Sequence, residues 1–325
     1  MAGTHCEVND RGYPGPGQVS ETALPKTVPS PATDAVIGVF DSGVGGLSVL
    51  RHIRSALPDE HLVYLADASF APYGDKLDAL VVARSLAIAE FFVGIGAKAL
   101  VVACNTATAS AIDAIRNRCP MLVVVGVEPG LKPAAQHSQT RIVGVLATTA
   151  TLASMRFARL QAQVTAASGV RFLLQPCPGL ADQIEKGELG SPATARLLER
   201  LLYPLLDQGI DTLVLGCTHY PFVQPLIESI IARRRAVTAT PVTLIDTGAA
   251  VARQLRSLLC QREQLRKDQA GGSLAALTTG SCTTLSLAIK RLLQTTVEAQ
   301  QLTAVDGNEP VAGSAGSIAA TGLPL

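Results

Sequence analysis

The sequence predicts an α/β protein built from two similar doubly wound parallel-sheet domains, related by a pseudo-twofold axis, with a cleft between them. Three observations carry that reading. Short aliphatic runs such as Val36–Phe40, His61–Ala66 and Met121–Val125 alternate with longer segments whose apolar residues fall at helical spacing, and regular strand–helix alternation builds parallel sheets with helices on both faces. Aromatic residues make up only 4% of the chain and Trp is absent, while 48% is apolar, which suits the aliphatic interior of a sheet buried on both sides. Finally, the pattern restarts: Arg141–Thr148 repeats the logic of Val36–Ser42, with a Thr pair where the first copy has Asp-Ser. A length of 325 residues is ample for two such cores.

Residues 1–34 are rich in Gly, Pro, Ser and Thr without periodicity, and are expected to be a disordered extension. Order begins with the strand Ala35–Phe40, which ends at Asp41-Ser42-Gly43-Val44-Gly45-Gly46 before a helix carrying Leu47, Leu50, Ile53 and Leu57 and stopping at Pro58. The glycine turn is neither a dinucleotide fingerprint nor a Walker sequence. A glycine turn entering a helix still presents backbone N–H groups, so it is expected to bind a small anion. A second strand runs from His61 to Ala66, ahead of Asp67 and the loop Ala68–Gly74. A helix from Leu77 to Phe92 then leads into Val101-Val102-Ala103-Cys104-Asn105-Thr106, followed by a helical stretch to Arg118 and the strand Met121–Val125.

In the second half a helix is expected from about Thr151 to Val164, a strand from Val170 to Leu174, a Pro-rich turn around Cys177, and helices from about Leu180 to Asp207. Leu213-Val214-Leu215-Gly216-Cys217-Thr218-His219 then echoes the first cysteine strand. Residues 35–130, joined by about 240–296, are assigned to the first domain, 131–239 to the second, and 297–325 to a disordered tail.

Lys and Arg total 27 against 26 Asp and Glu, so there is no electrostatic footprint for nucleic acid. No run approaches the roughly 18 apolar residues of a membrane span, and the N-terminus has no signal-like apolar core. A soluble, cytoplasmic protein with reduced thiols is expected. None of the seven cysteines forms a C-x-x-C pair, and no metal or other cofactor is expected.

The chemistry rests on Cys104 and Cys217. Each follows a doubly buried strand and precedes small polar residues, so each thiol falls at a strand's carboxyl end, where ligands bind in open α/β sheets. A strand-end cysteine taken alone is commonly just packing; two in repeated contexts are not. A helix N-terminus lowers a thiol pKa, and Cys217 also has His219 two residues on. Nucleophilic attack by one cysteine with His219 as base would leave the other thiol idle. Proton transfer between two thiols on opposite faces of one carbon uses both halves and accounts for their mirror-like placement.

Taken together, Asp41-Ser42-Gly43-Val44-Gly45-Gly46, Pro72-Tyr73-Gly74, Ala103-Cys104-Asn105-Thr106-Ala107, Gly216-Cys217-Thr218-His219-Tyr220-Pro221 and Asp246-Thr247-Gly248 resemble the motifs of the bacterial glutamate racemase family. The resemblance runs from about Val36 to Leu259. It implies cofactor-independent interconversion of L- and D-glutamate in the cleft, which supplies D-glutamate for peptidoglycan, with Cys104 and Cys217 as paired acid and base and Asp41 and His219 assisting them. Asp41, Ser42, Pro72, Tyr73, Gly74, Asn105, Thr106, Thr218 and His219 would hold the substrate. Thr148 and Thr151 resemble the family's second-domain hydroxyls, although Ala147 stands where a Gly is usual. Glu185 loosely matches an auxiliary carboxylate, and as a residue read on its own it is a solvated helix position. Asp246-Thr247-Gly248 replaces the commoner Asp-Ser-Gly. The N-terminal extension resembles the branch activated by a cell-wall precursor. A homodimer is carried as an expectation without a residue that points to it. The rivals are a racemase of aspartate or another acidic amino acid, a Cys217–His219 thiol hydrolase, and a non-catalytic two-lobed binding protein.

Overall fold

The computed structural model describes residues 33–235, 241–268 and 270–302; the expected N-terminal extension and most of the expected tail lie outside them. Two sheets form, and every strand pairing in both is parallel.

The first half opens with β1 (Ile37–Asp41), α1 (Leu47–Ala56), β2 (Leu62–Ala66), α2 (Asp78–Gly94), β3 (Ala99–Val102), α3 (Asn105–Arg118) and β4 (Val123–Gly126). The second comprises α4 (Leu131–His137), β5 (Ile142–Ala147), α5 (Thr149–Ala153), α6 (Met155–Ser168), β6 (Arg171–Pro176), α7 (Leu180–Glu185), α8 (Pro192–Leu206), β7 (Thr212–Leu215), α9 (Gln224–Arg235) and β8 (Thr243–Ile245). The chain then returns to the first half with α10 (Gly248–Gln261), β9 (Leu274–Thr278), α11 (Cys282–Leu293) and β10 (Ala299–Gln301).

The strand orders are β10-β9-β2-β1-β3-β4 and β6-β5-β7-β8. Stripped of its C-terminal pair, the first sheet has the order of the second, so the duplication read from the sequence is topological. Each sheet is sandwiched between two aliphatic clusters, one per face. This is the condition under which strands read as continuous apolar runs.

Several elements differ from the sequence reading. The strand at Thr243–Ile245 was assigned to the first domain but pairs with β7 in the second sheet; the return begins only at Asp246, and α10 then packs on α1. The expected single helix after β5 is two. Ser154 breaks it by accepting a hydrogen bond from Phe157 N as the cap of α6, the local competition that makes Ser favour caps over helix interiors. Helix α4 is absent from the sequence reading; its Pro133 sits in the first turn, where no N–H is required. Part of the expected tail is β10, hydrogen-bonded to β9.

The chain crosses between the halves at Val127–Gly130 and at Asp246-Thr247. The two crossings lie side by side: a Cβ on Gly130 would sit 2.7 Å from Ile245 Cγ2 and 3.1 Å from Thr247 Cγ2. His52 on α1 binds Asp246 at 3.2 Å, so this histidine braces the second crossing. No helix among the described residues is long and apolar enough to cross a membrane.

Candidate active site

A cavity of about 670 Å³ opens where the carboxyl ends of the two sheets face each other. The first half lines it with Ser42, Pro72, Tyr73, Gly74, Cys104, Asn105 and Thr106. The second half contributes Thr148, Cys177, Glu185, Cys217, Thr218 and His219. Most of the residues singled out in the sequence thus meet in one place.

Cys104 lies two residues past β3 and caps α3, with Sγ accepting from Ala107 N at 3.5 Å and donating to Ser42 Oγ at 3.7 Å. Burial, reinforced by the charge of Asp41, holds its thiol well above the ordinary range, and the Ala107 and Ser42 contacts only partly oppose this. Asp41 ends β1 beneath the cavity. Its Oδ2 accepts from Gly46 N at 2.6 Å, while its buried Oδ1 has no protein partner. Burial raises this carboxyl too, against the opposing pull of His219.

Cys217 follows β7, and its Sγ lies 3.5 Å from His219 Nδ1. The other ring nitrogen, Nε2, is 2.6 Å from Glu185 Oε1. Burial pulls the His219 pKa down, but the contacts with Cys217 and Glu185 outweigh it and the net direction is well up, toward imidazolium. Burial likewise pushes Glu185 up, and its bonds to His219 and to Val44 N reverse the sign. The result is a buried relay, Cys217–His219–Glu185. Glu185 is therefore no solvated helix residue.

The glycine turn departs from expectation. The N–H groups of Val44 and Gly46 are occupied by the protein's own carboxylates, Glu185 at 2.8 Å and Asp41 at 2.6 Å. The turn does bind anions, but they are side chains, and the bond to Glu185 comes from the opposite half. Gly43 and Gly45 permit this approach: a Cβ on Gly43 would meet Glu185 Oε1 at 1.9 Å, and one on Gly45 would meet His219 Nδ1 at 2.4 Å.

Two expected substrate contacts are indirect. Tyr73 is buried, and its hydroxyl donates to Asp67 Oδ2 at 2.8 Å. Its hydroxyl is thus committed away from a ligand, and Pro72 and Gly74 line the cavity beside it. Thr151 donates no surface to the cavity; its Oγ1 accepts from Thr148 Oγ1 at 2.8 Å, and Thr148 in turn touches Thr106 Oγ1 across the cleft at 3.1 Å. Asn105 is placed to bind: its Nδ2 is buried without a partner, and a buried unpaired donor is costly unless something meets it.

Sequence reasoning left Asp67 out and did not single out Arg84, Thr279 or Tyr64. Arg84 grips both oxygens of Asp67, at 2.7 and 2.8 Å, and Thr279 Oγ1 donates to Oδ1 at 2.8 Å, so one buried carboxylate anchors the Tyr73 turn to α2 and to the C-terminal segment. Tyr64 supports the glycine turn by donating to Gly43 O at 2.6 Å. The only signal in the sequence was Asp67's position at a strand's end. Asp246-Thr247-Gly248, part of the family motif, braces the crossing and does not line this cavity. Among the described residues no group of three or more His, Cys, Asp or Glu is placed to hold a metal ion.

Two matching α/β lobes that each deliver a buried thiol and a charged assistant to one interlobe cavity define a two-thiol enzyme of the racemase class. Residues 37–255 match the Asp/Glu/hydantoin racemase family model. The chain is 53% identical over 245 residues to the glutamate racemase of Pseudomonas syringae pv. tomato, covering 75% of this chain and 86% of that one. It is 54% identical over 236 residues to that of Pseudomonas aeruginosa PAO1, covering 73% and 86%. Among solved structures, glutamate racemase from Francisella tularensis in complex with D-glutamate superposes with a TM-score of 0.73 at 27% identity over 85% of this chain and all of that one. The Escherichia coli enzyme in complex with L-glutamate and the activator UDP-MurNAc-Ala gives 0.68 at 32% identity, covering 82% and 97%. The chain belongs to the Asp/Glu racemase family and, within it, to the glutamate racemases.

Proposed function

We propose that this protein interconverts L- and D-glutamate by proton transfer between two thiols, supplying D-glutamate for peptidoglycan from the cytoplasm. The observation that carries the reading is that Cys104 and Cys217, from opposite halves, line one cavity. In one direction, one cysteine as thiolate takes the Cα proton, and the C–H pair stays on the substrate as a carbanion. The opposing thiol then gives its proton to the other face and is left as thiolate. The products are the inverted amino acid and the same two cysteines with their protonation exchanged.

The Cα–H of an amino acid is far less acidic than a thiol, and each unit of mismatch costs about 1.4 kcal/mol. Charge placed in advance in a water-poor site is what narrows that gap. The imidazolium form of His219, held by Glu185, favours Cys217 as thiolate. The N-terminus of α3, with Asn105 Nδ2, faces the place where a carboxylate and its adjoining carbanion would sit. Asp41 Oδ1, an unpartnered acceptor behind Cys104, suits a substrate ammonium or the Cys104 proton.

The test is proton NMR of L-glutamate with the protein in deuterated water, together with optical rotation. Loss of the Cα–H signal with rotation decaying to zero, without added cofactor, supports the reading. Silence with both enantiomers and with aspartate would sink it. Because the E. coli enzyme was solved with UDP-MurNAc-Ala, that precursor is the activator to include, and a rate unchanged by it removes the activator from the proposal.

A further inference from the structure

One wall of the cavity is held in place by a residue that the reaction scheme leaves unused. Helix α7 is six residues long, and a helix that short has little stability of its own. Its buried apolar side chains, Leu180 and Ile184, lie one turn apart and sink into the core of the second half. The opposite stripe, Ala181, Asp182, Glu185 and Lys186, lines the cavity. The helix thus has its back in one half and its face over the site.

Its C-terminal end is closed tightly. Gly187 N donates to Ile184 O at 2.9 Å and Glu188 N to Gln183 O at 2.9 Å, while Gly187 is left-handed at φ +77°; this is the pair of bonds that ends a helix at a glycine. Glu185 is the last helical residue before that turn. The Gly187 carbonyl then accepts from Arg291 Nη1 of α11, in the opposite half, at 2.8 Å. A Cβ on Gly187 would stand 2.7 Å from the same nitrogen, so both the backbone and the guanidinium require glycine here. Thr284, about two turns before Arg291 on α11, lines the cavity. One stripe of α11 therefore runs from the cavity to the end of α7.

We propose that Arg291 is a positioning residue for the Cys217–His219–Glu185 relay: by gripping Gly187 O from the opposite half, it fixes the last turn of α7 and so the carboxylate of Glu185. The inference deepens the racemase reading and rests on it for its kinetic part.

Glu185 Oε1 has two tasks, accepting from Val44 N at 2.8 Å and meeting His219 Nε2 at 2.6 Å. Both distances depend on where the last turn of α7 stands. A guanidinium on a backbone carbonyl makes a charge-assisted bond, and it lies at the helix end whose unpaired carbonyls favour a cation. The Val44 and Arg291 bonds attach α7 to the first half at two points. Without Arg291 the carboxylate that orients His219 would hold its own helix to that half alone.

Hydrogen–deuterium exchange of the full chain, read by mass spectrometry, tests the grip itself. Arg291→Ala is expected to speed exchange at the amides of Gly187 and Glu188 by about three- to tenfold, the size of one hydrogen bond, while the sheet strands keep their rates. Kinetics test what the grip does. With Arg291→Ala, kcat is expected to fall by about the same factor with a smaller change in KM. Arg291→Lys should restore most of it, and Lys290→Ala, at the exposed neighbouring cation, should match wild type. In a Glu185→Gln background Arg291→Ala is expected to cost about twofold or less, because residues that act through one another do not add. Wild-type exchange at Gly187 and Glu188 would overturn the proposal, and so would an equal loss of kcat in the two backgrounds. Exchange is read without substrate, so it judges the grip whatever the substrate is; absence of racemisation in the wild type would instead indict the function proposed above.

Discussion

The two cysteines proposed to react are nearly inaccessible, at 5% exposure for Cys104 and 6% for Cys217, and their environments are not equivalent. Cys104 sits beside an acidic group, which opposes a thiolate there; Cys217 sits beside a histidine tied to a carboxylate. Cys104→Ser and Cys217→Ser are each expected to lower kcat for inversion by about 10²–10⁴-fold, the range of a lost general acid or base, in coupled assays of both directions. Retained inversion in Cys104→Ser would favour single-thiol chemistry. His219→Gln keeps a hydrogen-bonding side chain but loses the cation. It is expected to cost about tenfold or more in kcat while leaving Cys104 alkylation unaltered.

At the level of elements, the site depends on how two short turns are supported. The turn between β1 and α1 has glycines because the opposite half presses into it. Gly43→Ala would drive its Cβ into the carboxylate of Glu185, 1.9 Å away in the present geometry. The expected result is displacement of Glu185 from His219 and loss of about 10- to 100-fold in kcat, the size of one or two charge-assisted hydrogen bonds. Unchanged kinetics would show that the relay tolerates the shift. The Tyr73 turn depends on Asp67. Asp67→Asn weakens its grip on Arg84 and Tyr73, and the expected effect is a rise in KM larger than any fall in kcat, measurable by steady-state kinetics. The sequence made the thiol strands legible because a doubly buried strand, a cysteine and a polar cap are all local signals, and they recur. The glycine turn was legible as an anion binder but not as a binder of Glu185, since that carboxylate comes from a six-residue helix 141 positions away along the chain. Asp67 was illegible as an anchor for the same reason: its partners Arg84 and Thr279 are 17 and 212 residues off. Local pattern identifies which strand ends carry chemistry. It does not say which distant side chain will fill a donor.

Across the whole molecule, polar bonds join the two halves around the cavity, and Phe222 packs against a core cluster of each half. Ser48 Oγ donates to Thr218 O at 2.7 Å, Arg291 donates to Gly187 O at 2.8 Å, and Val44 N donates to Glu185 at 2.8 Å. The last of these joins interlobe contact to protonation, because the same oxygen, Glu185 Oε1, accepts from His219. The Glu185 pKa is lowered in the folded protein, so its contribution to stability is present above the unfolded value of about 4.3 and is lost as pH falls through the folded value. The His219 pKa is raised, so its contribution is complete below about 6.5 and is lost as pH rises through the folded value. The pair therefore stabilises the protein most between the acid limit set by Glu185 and the alkaline limit set by His219. Glu185→Gln removes the ionic partner of His219 and is expected to lower stability by about 1–3 kcal/mol at pH 6–7, the cost of leaving a buried polar group poorly met. Urea denaturation across pH checks this. The gap between wild type and variant should narrow as pH falls below the unfolded carboxylate value of about 4.3 and close once it has passed the lowered folded value. A gap that stays constant from pH 3 to 7 would mean that Glu185 acts through packing, and that the closed arrangement of the halves does not depend on its charge.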